Sequence, residues 1–367
     1  MTCTTIDPDQ FRSLLLDWYQ IHQRALPWRT TKDPYKIWLS EIILQQTRVA
    51  QGLPYYERFV KQYPVVEDLA RATEQDLLHL WQGLGYYSRA RNLLHCARTI
   101  VAQYGGKFPT SYKELTTLKG IGSYTAAAIA AVAFKEVVSA VDGNVYRVLS
   151  RLFGLMHDIS TTQGRVAIQQ LANLLVDPLR PDTYSQAIMD FGALHCKPKQ
   201  PLCTTCIFKK HCVAYQASKQ DTFPIKTSKL VKRIRYFDYI VLEYKQKLYM
   251  KKRAKGDIWQ GMYDFYLIEN EGCLRTAQHA DPLLRLIHDL PTKALVTPTY
   301  ETTHLLTHQR LFVRFHQIAI SNAFLNEAAM ALQSFSLQPF SLREIEKLPK
   351  PILIQKFLRK WIEKNMY

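Results

Sequence analysis

Residues 118–151 read LKGIGSYTAAAIAAVAFKEVVSAVDGNVYRVLSR, and the fold class turns on how that stretch is understood. Gly120 and Gly122 flank Ile121, so the backbone can turn sharply and bring bare N–H groups close to another molecule, which a Cβ would obstruct. From Tyr124 an Ala-rich helical run continues to Phe134. The hairpin amides therefore open a helix N-terminus, where unpaired donors and the macrodipole favour a phosphate. Asp142 then stands at the mouth of a second apolar helix and is followed by glycine. Taken alone, such an aspartate is a helix N-cap that satisfies an orphan amide.

Outward from this stretch, other segments carry chemistry of their own. In PYKIWLSEIIL the apolar run Ile37, Trp38, Leu39, Ile42, Ile43 and Leu44 has Glu41 in its middle, either solvated on the far face or buried at a cost. Gln45, Gln46 and Thr47 read as a polar helix end. In DLLHLWQGLGYYSRARNLLHCARTI a break at Gly83–Gly85 is expected to expose Tyr86 and Tyr87 ahead of Arg89, Arg91 and Arg98. Aromatics between glycines and arginines suit base stacking with phosphate pairing, although tyrosines also serve as half-buried packing residues. In FGALHCKPKQPLCTTCIFKKHC the spacing is C-x6-C-x2-C-x5-C, and four such thiolates bind a soft metal centre. Spacing leaves structural zinc and an iron–sulfur cluster both open.

The chain has 367 residues, 48 Lys and Arg against 31 Asp and Glu, and a formal charge of +17, which points to a polyanionic partner. Its length suggests two or three domains. Residues 1–217 carry +7, 218–235 carry +5 and 236–367 carry +5, so the short middle segment is the densest. That segment loses apolar periodicity and reads as a basic linker. No apolar run reaches the roughly 18 residues of a membrane span, and MTCTTIDPDQFRS lacks a signal pattern, so a soluble intracellular protein is expected. Seven cysteines, four of them within 17 residues, argue against an extracellular disulfide framework.

The first helix is FRSLLLDWYQIHQRALPWR, ending towards Pro27 and Arg29. Beyond the linker, YFDYIVLEYKQKLYMKKR alternates on either side of Lys245–Gln246, which predicts a β-hairpin, with IWQGMYDFYLI as a third strand. In YETTHLLTHQRLFVRFHQIAI a loop is expected before an alternating strand, and IQKFLRKWIEKNMY reads as a packing helix.

The hairpin LKGIGSYTAAAI with VDGNVYRVLSR resembles the helix-hairpin-helix superfamily of DNA glycosylases, and WLSEIILQQT resembles the corresponding helix of MutY-type adenine DNA glycosylases. The resemblance implies an all-helical glycosylase domain over 1–217 with an iron–sulfur cluster loop, a basic linker over 218–235, and a Nudix-like α/β domain over 236–367. It implies removal of adenine mispaired with 8-oxoguanine or guanine, with Glu41 as catalytic acid, Asp142 facing the flipped nucleotide, and Tyr124 at the hairpin position. In the same family Gln45 and Gln46 lie at the DNA surface, Tyr86 wedges beside the lesion, and Gly120, Gly122 and Asn144 bind DNA. The cysteine loop, similar to that of the endonuclease III and MutY families, implies a [4Fe–4S] cluster on Cys196, Cys203, Cys206 and Cys212. Lys197, Lys199, Lys209 and Lys210 around it suggest contact with the DNA backbone.

WQGMYDF is similar to a segment of the family's second domain, and LLTH lies where the family recognises 8-oxoguanine. Leu306 replaces an aromatic and Thr307 a serine, while His308 is retained, so Thr307 and His308 are the lesion-recognition candidates. No acidic Nudix hydrolase motif is present. The implied partner is double-stranded DNA with an adenine:8-oxoguanine mispair, for a monomer without membrane attachment, cytoplasmic and nucleoid-associated in a bacterium.

Two rivals share parts of this pattern. An endonuclease III-like glycosylase with lyase activity on oxidised pyrimidines needs an amine where Tyr124 stands. A catalytically silent DNA-binding protein would have no use for Glu41 and Asp142.

Overall fold

The computed structural model describes residues 6–227, 231–270, 281–288 and 298–365. They form two compact units, one of residues up to 71 with 92–229 and one of 72–91 with 230–367. Residues 72–91, which precede the second half of the helical region in sequence, thus pack with the C-terminal unit.

The first unit is helical. Pro8–His22 starts where Asp7 accepts from the Asp9 and Gln10 amides and Pro8 occupies the first turn. Its buried face is Phe11, Leu15, Leu16, Trp18 and Tyr19. This face shares a core with Val145, Leu149, Leu152, Ile168, Leu175, Tyr184 and Ile188 from helices Gly143–Phe153, Thr162–Leu175 and Pro181–Asp190. After Gln23 the chain makes only a single 3-10 turn at Pro27–Arg29. Pro34–Leu44 buries seven of its eleven residues, and it packs against Ser123–Phe134, where Thr125 to Val132 are all buried. A helix apolar on all sides belongs inside a core, and alanines let the two axes approach.

In the second unit, seven strands stand among the described residues: β1 (Arg233–Tyr244), β2 (Lys247–Lys252), β3 (Tyr263–Asp264), β4 (Tyr266–Asn270), β5 (Tyr300–Leu305), β6 (Gln309–Ala319) and β7 (Gln338–Ser341). The path β3-β2-β1-β6-β5 is joined by β4 on β1 and β7 on β2. The expected hairpin is present, with Lys245 and Gln246 both at positive φ (44° and 61°), as a two-residue turn demands. β6 runs parallel to β1 from Arg233↔Gln309 to Glu243↔Ala319. Residues 237–242 of β1 are buried on both faces. Phe315 stacks on Phe357 (4.2 Å) and Tyr239 (5.1 Å) on one side, while Ile240, Leu242, Leu283, Ile287 and Ile318 form a core on the other.

Three expectations change. The third strand starts only at Tyr263, because Trp259 (φ 61°) and Gly261 (φ 79°) turn the chain first, and it is divided into β3 and β4 at Phe265. The segment expected as a loop before the alternating strand is itself strand β5, whose alternating exposure matches an edge strand paired to β6. Arg233–Arg235 of the expected linker already belong to β1, and Arg235 is buried between Asp257 (2.8 Å) and Glu269 (2.7 Å) rather than offered to phosphate. Linker residues 228–230 lie outside the described residues. Residues up to 227 stay on the first unit, where Ile159 N donates to Ile225 O (3.0 Å) and Asp158 receives the Thr227 hydroxyl.

Gly120 has φ +90°, and a Cβ there would stand 2.7 Å from Asn92 Cβ, whereas a Cβ at Gly122 meets open space. Gly120→Ala is expected to destabilise the protein by about 1–3 kcal/mol and Gly122→Ala by distinctly less. Thermal unfolding followed by circular dichroism measures both, and equal losses would contradict the geometry.

Candidate active site

Glu41 sits in the last turn of Pro34–Leu44 and Tyr124 in the first turn of Ser123–Phe134, so the packing of these two helices brings them together. Glu41 keeps partial access to solvent. Burial nevertheless raises its pKa to about 7; a hydrogen bond from Tyr124 and the charge of Arg29 oppose the rise, and Asp142 adds to it. The Tyr124 hydroxyl also lies 3.2 Å from Met189 Sδ. It has one proton to give, and a carboxylate is the stronger acceptor. Burial, then the charges of Glu41 and Asp142, push the Tyr124 pKa far up, so it remains a donor.

Asp142 is the N-cap of Gly143–Phe153. Its Oδ1 accepts from the amides of Asn144 (2.8 Å) and Val145 (2.9 Å), and its Oδ2 from Asn144 Nδ2 (2.6 Å). Burial raises its pKa, while these three donors and Arg147 pull it back down. Of the two carboxyls, Asp142 is thus the one whose charge is solvated by fixed N–H groups, and Glu41 is the one favoured to hold a proton.

Asn144, expected at the DNA, is here the side-chain partner of Asp142, and its Oδ1 accepts from Arg147 Nη2 (2.9 Å). Arg147 continues to Cys196 O (2.8 Å) and Gly192 O (2.6 Å). One turn later Arg151 donates to Lys197 O (2.7 Å), Pro198 O (3.1 Å) and Gln220 O (2.8 Å), with Cys196 Sγ at 3.5 Å. Two buried arginines four residues apart therefore fasten the cysteine loop to the Asp142 helix. Sequence reading did not single them out; an Arg pair on an otherwise apolar helix face was the available signal.

Cys196, Cys203, Cys206 and Cys212 are all free thiols and line one hollow with Arg151 and His195. Burial raises the pKa of Cys203, Cys206 (to about 12) and Cys212, and the proximity of Cys196 adds to each. Among the described residues no group of three or more His, Cys, Asp or Glu side chains is placed to hold a single metal ion. A four-iron cluster takes one thiolate per iron, so its ligands surround a hollow without converging on one point.

Gln46 is exposed at the helix end with φ 56°. Gln45 is instead turned inward, its Nε2 donating to Thr125 Oγ1 (3.3 Å). The hairpin helix begins at Gly122 with no side-chain cap, as an anion-binding N-terminus requires.

In the second unit Tyr86 is 39% exposed, whereas Tyr87 is buried and its hydroxyl accepts from Gly83 N (3.2 Å), so only one of the two tyrosines is presented. Arg89, Arg91 and Arg98 each donate to a main-chain carbonyl, of Gly85, Gln260 and Ala70 respectively. Thr307 and His308 are exposed at the turn between β5 and β6, where Leu306 N donates to Gln309 O (2.9 Å). Tyr86 and Thr307 join hydroxyl to hydroxyl, and with His308, Trp259 and His304 they line one hollow of this unit.

The model of the HhH-GPD superfamily of base excision DNA repair proteins matches residues 39–174, and that of the NUDIX domain matches residues 239–360. The chain is 34% identical over 256 residues to an adenine DNA glycosylase of Buchnera aphidicola subsp. Schizaphis graminum, covering 70% of this chain and 74% of the relative. It is 32% identical over 311 residues to that of Buchnera aphidicola subsp. Baizongia pistaciae, covering 83% and 84%. With the Mus musculus adenine DNA glycosylase it shares 43% identity over 219 residues, 57% of this chain and 42% of that one. Among solved structures, a thermostable thymine-DNA glycosylase superposes with a TM-score of 0.54 at 31% identity, over 57% of this chain and 97% of that one.

A carboxyl whose pKa rises on folding binds its proton more tightly in the folded chain. The stability linked to Glu41 is therefore full below about pH 4.5 and is lost as the pH rises through about 7. Glu41→Gln has no proton to lose and is expected to gain about 1–3 kcal/mol on the parent protein between about pH 5 and about pH 8. Urea midpoints at the two pH values measure it, and the same pH dependence in both proteins would place Glu41 in solvent.

Proposed function

Because the chain belongs to the adenine DNA glycosylases, base excision repair enzymes that remove adenine from DNA, we propose that it acts opposite 8-oxoguanine and as a monofunctional hydrolase. The observation that carries this reading is the grouping of Glu41 and Asp142 around Tyr124. Tyr124 fills the position where the lyases of the superfamily need an amine, and a phenol forms no Schiff base with the sugar.

Adenine leaves poorly until its N7 is protonated, and the sugar then passes through an oxocarbenium-like state. Glu41 is the proton donor, its pKa of about 7 holding the proton in reserve at neutral pH. Asp142, oriented by three N–H donors, stabilises the cation or adds to it, as the second carboxylate of retaining glycosidases does. Tyr124 fixes the Glu41 carboxyl in direction. The uncapped hairpin at Gly120–Gly122 grips a phosphate. Gln46 and Tyr86 enter the base stack, and Thr307 and His308 hydrogen-bond the oxidised guanine. Gln45 and Asn144 support this surface from within, through Thr125 and Asp142.

Cys196, Cys203, Cys206 and Cys212 are the residues that would hold a [4Fe–4S] cluster. Bound there, it would cross-link the 196–212 loop at four points. That loop is presented with Lys199, Lys209 and Lys210 exposed, which suits a DNA backbone.

Duplexes with adenine opposite 8-oxoguanine, guanine or thymine, treated with and without alkali, test the activity. Adenine release fastest opposite 8-oxoguanine, with strand breaks only after alkali, is expected; breaks without alkali would support a lyase. Thr307→Ala with His308→Ala should reduce the preference for 8-oxoguanine over guanine by roughly 10-fold or more, since each lost buried hydrogen bond costs about 1–3 kcal/mol. An unchanged preference would exclude the β5–β6 turn as the reader. The purified protein should be brown with about four irons per chain, and stoichiometric zinc without iron would overturn the cluster assignment.

A further inference from the structure

The last turn of Pro181–Asp190 approaches the site from a direction that the reaction as described does not use. Asp190 there is fully buried. It receives Arg24 Nε (2.9 Å) and Arg29 Nη2 (2.6 Å), with further contacts from both guanidinium groups. Arg24 and Arg29 lie on the stretch between Pro8–His22 and Pro34–Leu44, so Asp190 anchors the approach to the Glu41 helix. Arg29 itself is nearly buried, stands 5.8 Å from the Tyr19 ring, and packs in the turn next to that helix. Tyr19 is held in turn by Gln186 Oε1 (3.0 Å) on the same helix as Asp190. The neighbouring residue, Met189, touches Tyr124.

We propose that Asp190 is a positioning residue for adenine release: by clamping Arg24 and Arg29 it fixes how much positive charge the Glu41 carboxyl meets. This rests on the reading of Glu41 as the proton donor. The charges facing Glu41 are Arg29 from the Pro27–Arg29 turn, Asp142 from the Gly143–Phe153 helix and the Tyr124 hydroxyl from the hairpin helix. Arg29 is the one cation among them. With no Asp190 anion, the uncompensated charge of Arg29 would pull the carboxyl towards ionisation and take away the proton it has to give. Against its burial, the hydrogen bonds of Arg29 and Arg24 hold Asp190 below the usual carboxylate range, so it stays charged across the working pH and the balance is constant.

The clamp predicts opposite effects for its two signs of charge. In single-turnover adenine release as a function of pH, the alkaline limb reports the ionisation of the proton donor. Asp190→Asn should move that limb to lower pH by about one unit. Arg29→Gln should move it to higher pH, and the double variant should return it near the parent position. Asp190→Glu, which keeps the charge, should retain most of the parent profile. A residue that only supports the fold would lower the rate at every pH and leave the limb in place, and that outcome overturns the proposal; so would shifts of the same sign in both single variants. If Asp190→Asn fails to fold, Arg29→Gln alone decides by the sign of its shift. Glu41→Gln run alongside separates the two levels. Parent-like release by that variant removes Glu41 as donor, whereas an inactive Glu41→Gln with unmoved limbs in the others removes only the clamp.

Discussion

A carboxyl inside an apolar helix is the constraint from which the first unit's arrangement follows. Glu41 lies among Trp38, Ile42 and Ile43, where an ionised group is costly, and that cost is what lets it hold a proton near neutral pH. Asp142 occupies the same neighbourhood under a different regime. Its helix N-terminus supplies two amides, and Asn144 supplies a third donor, so its charge is met by groups already in place. One carboxyl is desolvated and the other is coordinated, and this separates acid from anion without any difference in their intrinsic chemistry.

The second consequence is the fate of the arginines. Arg24, Arg29, Arg147 and Arg151 are drawn inward, each with carbonyl, carboxylate or thiol partners. A strongly basic chain suggests that its cations serve DNA, yet this inner set serves geometry. Arg147 and Arg151 spend most of their donors on main-chain carbonyls of the cysteine loop and its flanks, which fixes that loop without a side-chain anion. Because Arg147 also binds Asn144, which binds Asp142, the loop is joined to the carboxylate by three consecutive hydrogen bonds. Lys199, Lys209 and Lys210 of the loop, by contrast, are exposed.

What could be read in the sequence was whatever is encoded locally. The glycine hairpin, the Asp142 cap, the cysteine spacing and the turn at Lys245–Gln246 are each written in a few adjacent residues, and the structure contains all four. The Asp190 clamp joins residues 161 and 166 positions apart, and nothing near Asp190 in the chain announces it. The inward turn of Gln45, the burial of Tyr87 and the pairing of Arg235 depend likewise on distant partners. β5 escaped because ETTH carries no apolar alternation: it is an edge strand, stabilised by its ladder to β6 more than by burial.

The turn that holds Thr307 and His308 gains its fixity from beneath. β6 is bound to β1 in parallel register along its whole length, and Asp238 on β1 receives Arg314 (2.7 Å and 2.8 Å) and His316 (2.9 Å) from it. A slip of one residue would reverse the faces of β6 and strip a fully buried carboxylate of both partners, so the register is strongly specified. Once β6 is locked, the turn before it is locked as well, closed further by Leu306 N on Gln309 O. Leu306 offers no aromatic face, so a reader built on this turn works through hydroxyl and imidazole hydrogen bonds. The aromatic surface in the same hollow comes from Tyr86, whose hydroxyl already meets Thr307. The aromatic ring and the hydrogen-bonding groups of this hollow thus come from two segments that are far apart in the chain and belong to one unit, so the hollow keeps an aromatic although Leu306 is not one.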